Sequence, residues 1–208
     1  MPISPEMPSG PDHTTPTFFQ YARLEDNGWA ATQVTLSSHL GTHLDAPSHF
    51  IAGAATVEKL TFEVFTGPAQ VIHLSGHGPI DLDAIGAITS DRVLIDTGWS
   101  RRFGDEKSYF EDHPYLTDEV GEHLVRSGAR LVGIDTPSVD HHPPSAVHLA
   151  LLGAGAVIVE NLINLDQLGS SCEFIVLPLP LVGVDGSPVR AIARSHVVTT
   201  SERGHHDC

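Results

Sequence analysis

Five short apolar runs constrain this chain most: residues 70–74, 93–95, 131–134, 156–159 and 174–177 are rich in aliphatic and β-branched side chains, and Gly, Pro, Asp or Ser bounds each of them. Several are continuous rather than alternating. A half-wetted strand alternates apolar and polar residues, so continuous runs predict strands covered on both faces of a mixed sheet. The expected fold class is α/β, a single layered domain with a mixed β-sheet core and flanking helices. A chain of 208 residues buries one substantial core, and nothing in its length demands a second, so 1–208 is read as one domain.

Local signals fill in the outline. Pro2, Pro5, Pro8, Pro11 and Pro16 fix φ and remove donors, so residues 1–19 read as an extended arm. A β-rich run follows at 31–36. Thr117 can cap a helix with Asp118 and Glu119 in its first turn, Val120, Leu124 and Val125 on one face and Gly128 past its end. A shorter helix is expected over 145–152, stopping at Gly153. Asp185-Gly186 reads as a tight hairpin turn between 179–184 and 188–193, and 201–208 as a frayed tail.

Charge excludes whole classes of partner. Twenty-six Asp+Glu against 11 Lys+Arg give −15, a field that repels phosphate backbones and anionic lipid surfaces, so neither nucleic acid nor a membrane is expected to bind. No run of 18 apolar residues occurs, and the first residues are Pro-rich and polar rather than basic then apolar. Cys172 and Cys208 are too few for a disulfide framework. A cytoplasmic protein acting on a small-molecule substrate is the expectation.

Among 14 His, three fall within residues 39–49: His39, His43 and His49, with Asp45 between them. In an extended strand these odd-numbered positions share one face, while Gly41 and Pro47 let the backbone bend around a point. Imidazoles with a carboxylate form a borderline ligand set that suits Zn²⁺, with Mn²⁺ or Fe²⁺ open if water fills the sphere. A lone His usually sits in a polar loop or a hydrogen-bonded core; four such groups in eleven residues point to a metal.

The pattern His39-x-Gly41-Thr42-His43-x-Asp45-x-Pro47-x-His49 resembles the signature of the cyclase family of metal-dependent hydrolases, which includes bacterial kynurenine formamidase and isatin hydrolase. Gly133-Ile134-Asp135-Thr136 with Ser138 and Asp140, then His148, then Glu160-Asn161-Leu162 are similar to its downstream block. The resemblance implies the swivelling β/β/α fold and one or two divalent ions, Zn²⁺ first and Mn²⁺ second. His39, His43 and Asp45 would bind the first ion, Asp45 would bridge, His148 would bind the second, and Glu160 would touch both. His49 would be the acid/base. A homodimer or homotetramer is implied as well, with the Pro-rich arm free to pack on a partner.

Divalent ions lower the pKa of bound water towards about 7 and polarise a carbonyl oxygen. The resemblance therefore implies hydrolysis of an amide, formamide or lactam beside an aromatic ring. Formamidases of the family carry Trp-Pro-Gly-Asp in the arm, whereas this chain reads Pro8-Ser9-Gly10-Pro11-Asp12. Lactone hydrolysis, a cyclase reaction and metal binding without catalysis are the alternatives. Phe18, Phe19 and Phe50 are candidates for an apolar wall, and Trp99, after Asp96-Thr97-Gly98, for the pocket lining. His73, His77, His141, His142, His205 and His206 read as ordinary surface or hydrogen-bonded histidines.

Overall fold

Continuous apolar runs become staves. The structure, a computed structural model, describes residues 1–8, 10, 14–104, 106–141 and 145–195, with Glu106 and Lys107 as backbone only. Its strands are β1 (Thr17–Ala22), β2 (Ala31–Thr35), β3 (His43–Asp45), β4 (Thr66–His73), β5 (Pro79–Ile80), β6 (Arg92–Asp96), β7 (Tyr115–Leu116), β8 (Leu131–Ile134), β9 (Val157–Glu160), β10 (Ser171–Pro178) and β11 (Gly186–Ser195). Seven of them close a barrel in the order β10-β11-β3-β9-β8-β6-β4. The β4, β6, β8 and β9 strands pair in parallel, and β3, β11 and β10 complete the ring antiparallel. The mixed sheet expected from the runs is present; its closure on itself had no signal in the sequence.

Period-2 alternation sorts the side chains into two cores. Leu94, Leu131, Val157 and Val159 join Leu44, Val71, Phe174 and Val176 in one. Val93, Ile95, Val132, Ile134 and Ile158 face the other way, under helices Asp118–Arg126 and Ala146–Gly153, where they meet Val120, Leu124, Val147 and Leu151. Both faces of these strands are dry, which is why they read as unbroken apolar runs. The helices themselves touch closely: a Cβ at Gly121 would lie 3.3 Å from Val147. Thr117 is the N-cap residue of the first of them, but through its extended backbone only, without the side-chain bond its hydroxyl could make.

Gly133 on β8 sits where two buried leucines close in on the backbone. A Cβ there would come within 2.7 Å of Leu162 and 2.8 Å of Leu94, both buried. Gly133→Ala is therefore expected to destabilise the protein by about 1–2 kcal/mol, since overpacking outweighs the entropy that alanine removes from the unfolded chain. A urea unfolding midpoint equal to or above the wild-type value would contradict this.

Two expectations change here. The arm ends in β1, which pairs antiparallel with β2 as a ribbon outside the barrel and leaves Phe18, Phe19, Tyr21 and Trp29 exposed, so Phe18 and Phe19 are not a pocket wall. The second hairpin is longer than a tight turn: β10 and β11 pair from Cys172↔Ser195 to Pro178↔Val189, and Gly186 already belongs to β11, opposite Asp45 on β3. Asp185 is left as the last residue of a loop. Among the described residues no helix is long and apolar enough to cross a membrane. The 201–208 tail, His142 and Cys208 lie outside the described residues.

Candidate metal centre

Strand register builds the floor. On β3, Leu44 points into one core, so His43 and Asp45 point to the opposite face. The antiparallel pairing of β3 with β9 sets Glu160 directly across from His43, where cross-strand side chains are neighbours. His39 reaches the same place by a different route. Within 39–49 only His43–Asp45 is strand, and Gly41, one of the two expected bends, turns the preceding segment back at φ 63° so that His39 Nδ1 stands 2.6 Å from Asp45 Oδ1. From the helix above, His148 brings Nε2 to 3.6 Å from Asp45 Oδ2 and 3.3 Å from Glu160 Oε1. His43 Nε2 lies 3.4 Å from Asp45 Oδ1 and 3.5 Å from Glu160 Oε2. The sequence-derived candidates His39, His43, Asp45, His148 and Glu160 thus meet at one point.

Each ring has its other nitrogen tied to an acceptor outside that point. A carbonyl or carboxylate only accepts, so the ring must donate. His43 Nδ1–H donates to Gly41 O at 2.9 Å, His148 Nδ1–H to Asp140 Oδ2 at 2.6 Å, and His39 Nε2–H to Asp185 Oδ2 at 3.1 Å. In neutral rings the remaining nitrogens are lone pairs, all aimed at carboxylate oxygens. Lone pairs facing carboxylates repel unless positive charge lies between them, and Asp45 Oδ2, in a side chain 1% exposed, has no hydrogen-bond partner. The donor set therefore fits divalent metal: His39–His43–Asp45 and Asp45–His148–Glu160 each hold their donor atoms within 4.8 Å of one another and share Asp45.

The titration behaviour agrees. Burial opposes charge on His43, but Asp45 and Glu160 outweigh it and hold the ring at about 9. Burial is likewise overcome at His148, which Asp140, Asp45 and Glu160 raise well above its ordinary value. Asp45, despite its burial, is held well below the usual carboxylate range by His43, His148 and His39. Carboxylates that stay ionised in a dry place need positive charge, which the imidazoles supply as protons or a bound cation supplies directly.

Asp140 had no role in the sequence beyond the resemblance. Its carboxylate accepts from the backbone N–H of Val147 and of His148 as well as from the His148 ring, so one residue caps the short helix and orients its histidine. His49 stands apart from the inner donors: its ring stacks on His39 at 4.0 Å, and its Nδ1 lies 3.3 Å from Asp185 Oδ2. A third donor set, His39, His49 and Asp185, arises from this contact. Nothing in the spacing could have found Asp185, which lies 136 residues from His49 along the chain.

A cavity of about 450 Å³ opens on the inner histidines, lined by Phe50, Phe103, Phe110 and Leu40 on its apolar side and by Met7 and Pro8 from the arm. Phe50 is stacked 4.7 Å from His148. His141, read from the sequence as an ordinary surface or hydrogen-bonded histidine, also lines it. Trp99 does not: it is buried, and its Nε1–H donates to Tyr109 O.

A water-accessible cavity ending on a buried cage of imidazole and carboxylate is the site of a metal-dependent hydrolase. The Cyclase family model matches residues 1–141, and the chain belongs to the cyclase family. It is similar to the kynurenine formamidase of Geobacillus thermodenitrificans, 41% identical over 182 residues that cover 84% of this chain and 85% of the relative. The kynurenine formamidase of Bordetella pertussis is 34% identical over 200 residues, covering 93% and 94%. Among solved structures, isatin hydrolase A from Labrenzia aggregata, bound to benzyl benzoate, superposes with a TM-score of 0.85 at 28% identity, covering 94% of this chain and 91% of that one.

Proposed function

We propose that this chain hydrolyses the carbon–nitrogen bond of a non-peptide amide, a formamide or lactam carried on an aromatic ring, with His49 as acid and base. The observation that carries the reading is the cage itself: three imidazoles, each tethered outward, with their inner nitrogens turned on Asp45 and Glu160. The names of the relatives, formamidases and isatin hydrolases, support the substrate class. His39, His43, Asp45, His148 and Glu160 would hold one or two divalent ions, zinc first and manganese second, given imidazole and carboxylate donors without thiolate. Such an ion supplies Lewis acidity towards the substrate carbonyl and towards water.

The chain's own residues do the rest. Burial, aided by His39 and His148, lowers the His49 pKa against the pull of Asp45 and Asp185, so the ring is neutral at neutral pH and ready to take a proton. Having taken it, His49 can return it to the leaving nitrogen. Phe50, Phe103 and Phe110 offer ring-sized apolar surface beside the cage.

A substrate panel tests the assignment. Protein loaded with zinc or manganese should release formate from N-formylanilines or open isatin, either followed by ultraviolet absorbance, faster than it opens simple lactones. Turnover of lactones alone, or of nothing while the ion stays bound, would replace this reading by lactone hydrolysis or by metal binding without catalysis.

A further inference from the structure

We propose that Asp185 is a positioning residue that sets two imidazoles through a single oxygen, turning the His39 Nδ1 lone pair to the metal cage and leaving Nε2 as the basic nitrogen of His49. The inference rests on the reading of His49 as the acid/base. Asp185 Oδ2 is 3.1 Å from His39 Nε2 and 3.3 Å from His49 Nδ1. A carboxylate cannot donate, so both nitrogens carry their protons towards it. The two rings lie one on the other at 4.0 Å and 28°, an arrangement in which one acceptor can serve both edges.

The carboxylate is itself held. Ser38 Oγ donates to Asp185 Oδ1 at 3.2 Å, which leaves Oδ2 for the rings. Ala46 N–H donates to the Asp185 carbonyl at 2.9 Å, tying the loop to the residue after Asp45. The next position completes the fit: a Cβ at Gly186 would lie 2.6 Å from His39 Cε1, so the ring can rest against β11 and reach Asp185 only because residue 186 is glycine. Backbone, hydroxyl and missing side chain thus conspire to present one oxygen to two rings. Outer carboxylates of this kind fix the tautomer and orientation of a ligand histidine. Here the same group would also fix the tautomer of the base, so cation grip and proton transfer share one anchor.

The experiment compares wild type, Asp185→Ala, Asp185→Asn, His49→Ala and the double variant His49→Ala/Asp185→Ala. Three quantities are read: kcat and KM at saturating zinc or manganese, cation Kd by chelator competition, and the His49 tautomer in the cation-free protein by ¹⁵N imidazole NMR. Asp185→Ala should lose about 10- to 100-fold in kcat with KM nearly unchanged, and weaken the cation about tenfold. Asp185→Asn, which keeps one acceptor oxygen, should lose less. The double variant should turn over no more slowly than His49→Ala, and the wild-type Nδ1–H signal of His49 should give way to Nε2–H in Asp185→Ala. Unchanged kcat and Kd in Asp185→Ala, multiplied losses in the double variant, or an unshifted tautomer would overturn the proposal. If His49→Ala itself keeps its kcat, the acid/base reading falls instead, and the Kd of Asp185→Ala still decides whether Asp185 holds His39. The Asp185 side chain is 45% exposed, so the alanine variant should fold, and the asparagine variant guards against a loop defect.

Discussion

His49→Ala should cost about 10²- to 10⁴-fold in kcat and leave the cation in place, because general acid–base transfer contributes that much and the ring is not among the inner donors. The structure separates the two roles by where each ring's nitrogens go. The rings of His39, His43 and His148 each put one nitrogen within 3.6 Å of Asp45 or Glu160, whereas His49 Nδ1 goes to Asp185. His49 remains close enough to touch the chemistry, being stacked on His39 and lining the cavity. The measurement is kcat at saturating zinc or manganese together with metal content by mass spectrometry. Loss of the cation along with activity would instead make His49 a ligand through the His39–His49–Asp185 set, and a kcat within tenfold of wild type would remove it from the mechanism.

Asp45→Asn should abolish turnover and weaken the cation by at least about 10²- to 10³-fold. Asp45 is shared by the His39–His43–Asp45 and Asp45–His148–Glu160 donor sets, so neutralising it takes a charge from both at once. Breaking a buried charge pair by removing one partner costs about 3–5 kcal/mol, since the opposite charge is left in a dry place. The wild-type protein should gain about 2.7 kcal/mol of stability at a cation concentration 100 times its Kd. The asparagine variant should show no such gain at that concentration. Thermal unfolding with and without zinc or manganese measures the difference, and a variant that still melts later on adding the ion would show that Asp45 is not central to the cage.

How far the sequence carries the site is plainest at His39. Three imidazoles and a carboxylate in eleven residues announced a metal ligand set without any coordinates, because ligand chemistry depends on residue type and nearness in the chain. The bend that the sequence places at Gly41 is present as a left-handed turn, and it brings His39 Nδ1 to 2.6 Å from Asp45. Glu160 and His148 were singled out through the resemblance, and only the register His43↔Glu160 and the helix seated over Ile158 explain why they arrive there. Asp185 reads in the sequence as a turn residue, since Asp-Gly is a strong local turn signal and the pull of a ring 136 residues away leaves no trace in spacing.

The sequence by itself determined which groups are available: the apolar runs that must be buried on two faces, and the imidazoles and carboxylates that can share a cation. Both follow from local chemistry, transfer from water in one case and donor type in the other. Tertiary structure alone decided the closure of the sheet into a barrel, the direction of each ring nitrogen and the arrival of Asp185 and Asp140 behind their histidines. Those depend on strand register and on hydrogen bonds between distant segments, where a shift of one residue would turn His43 and Asp45 into the core.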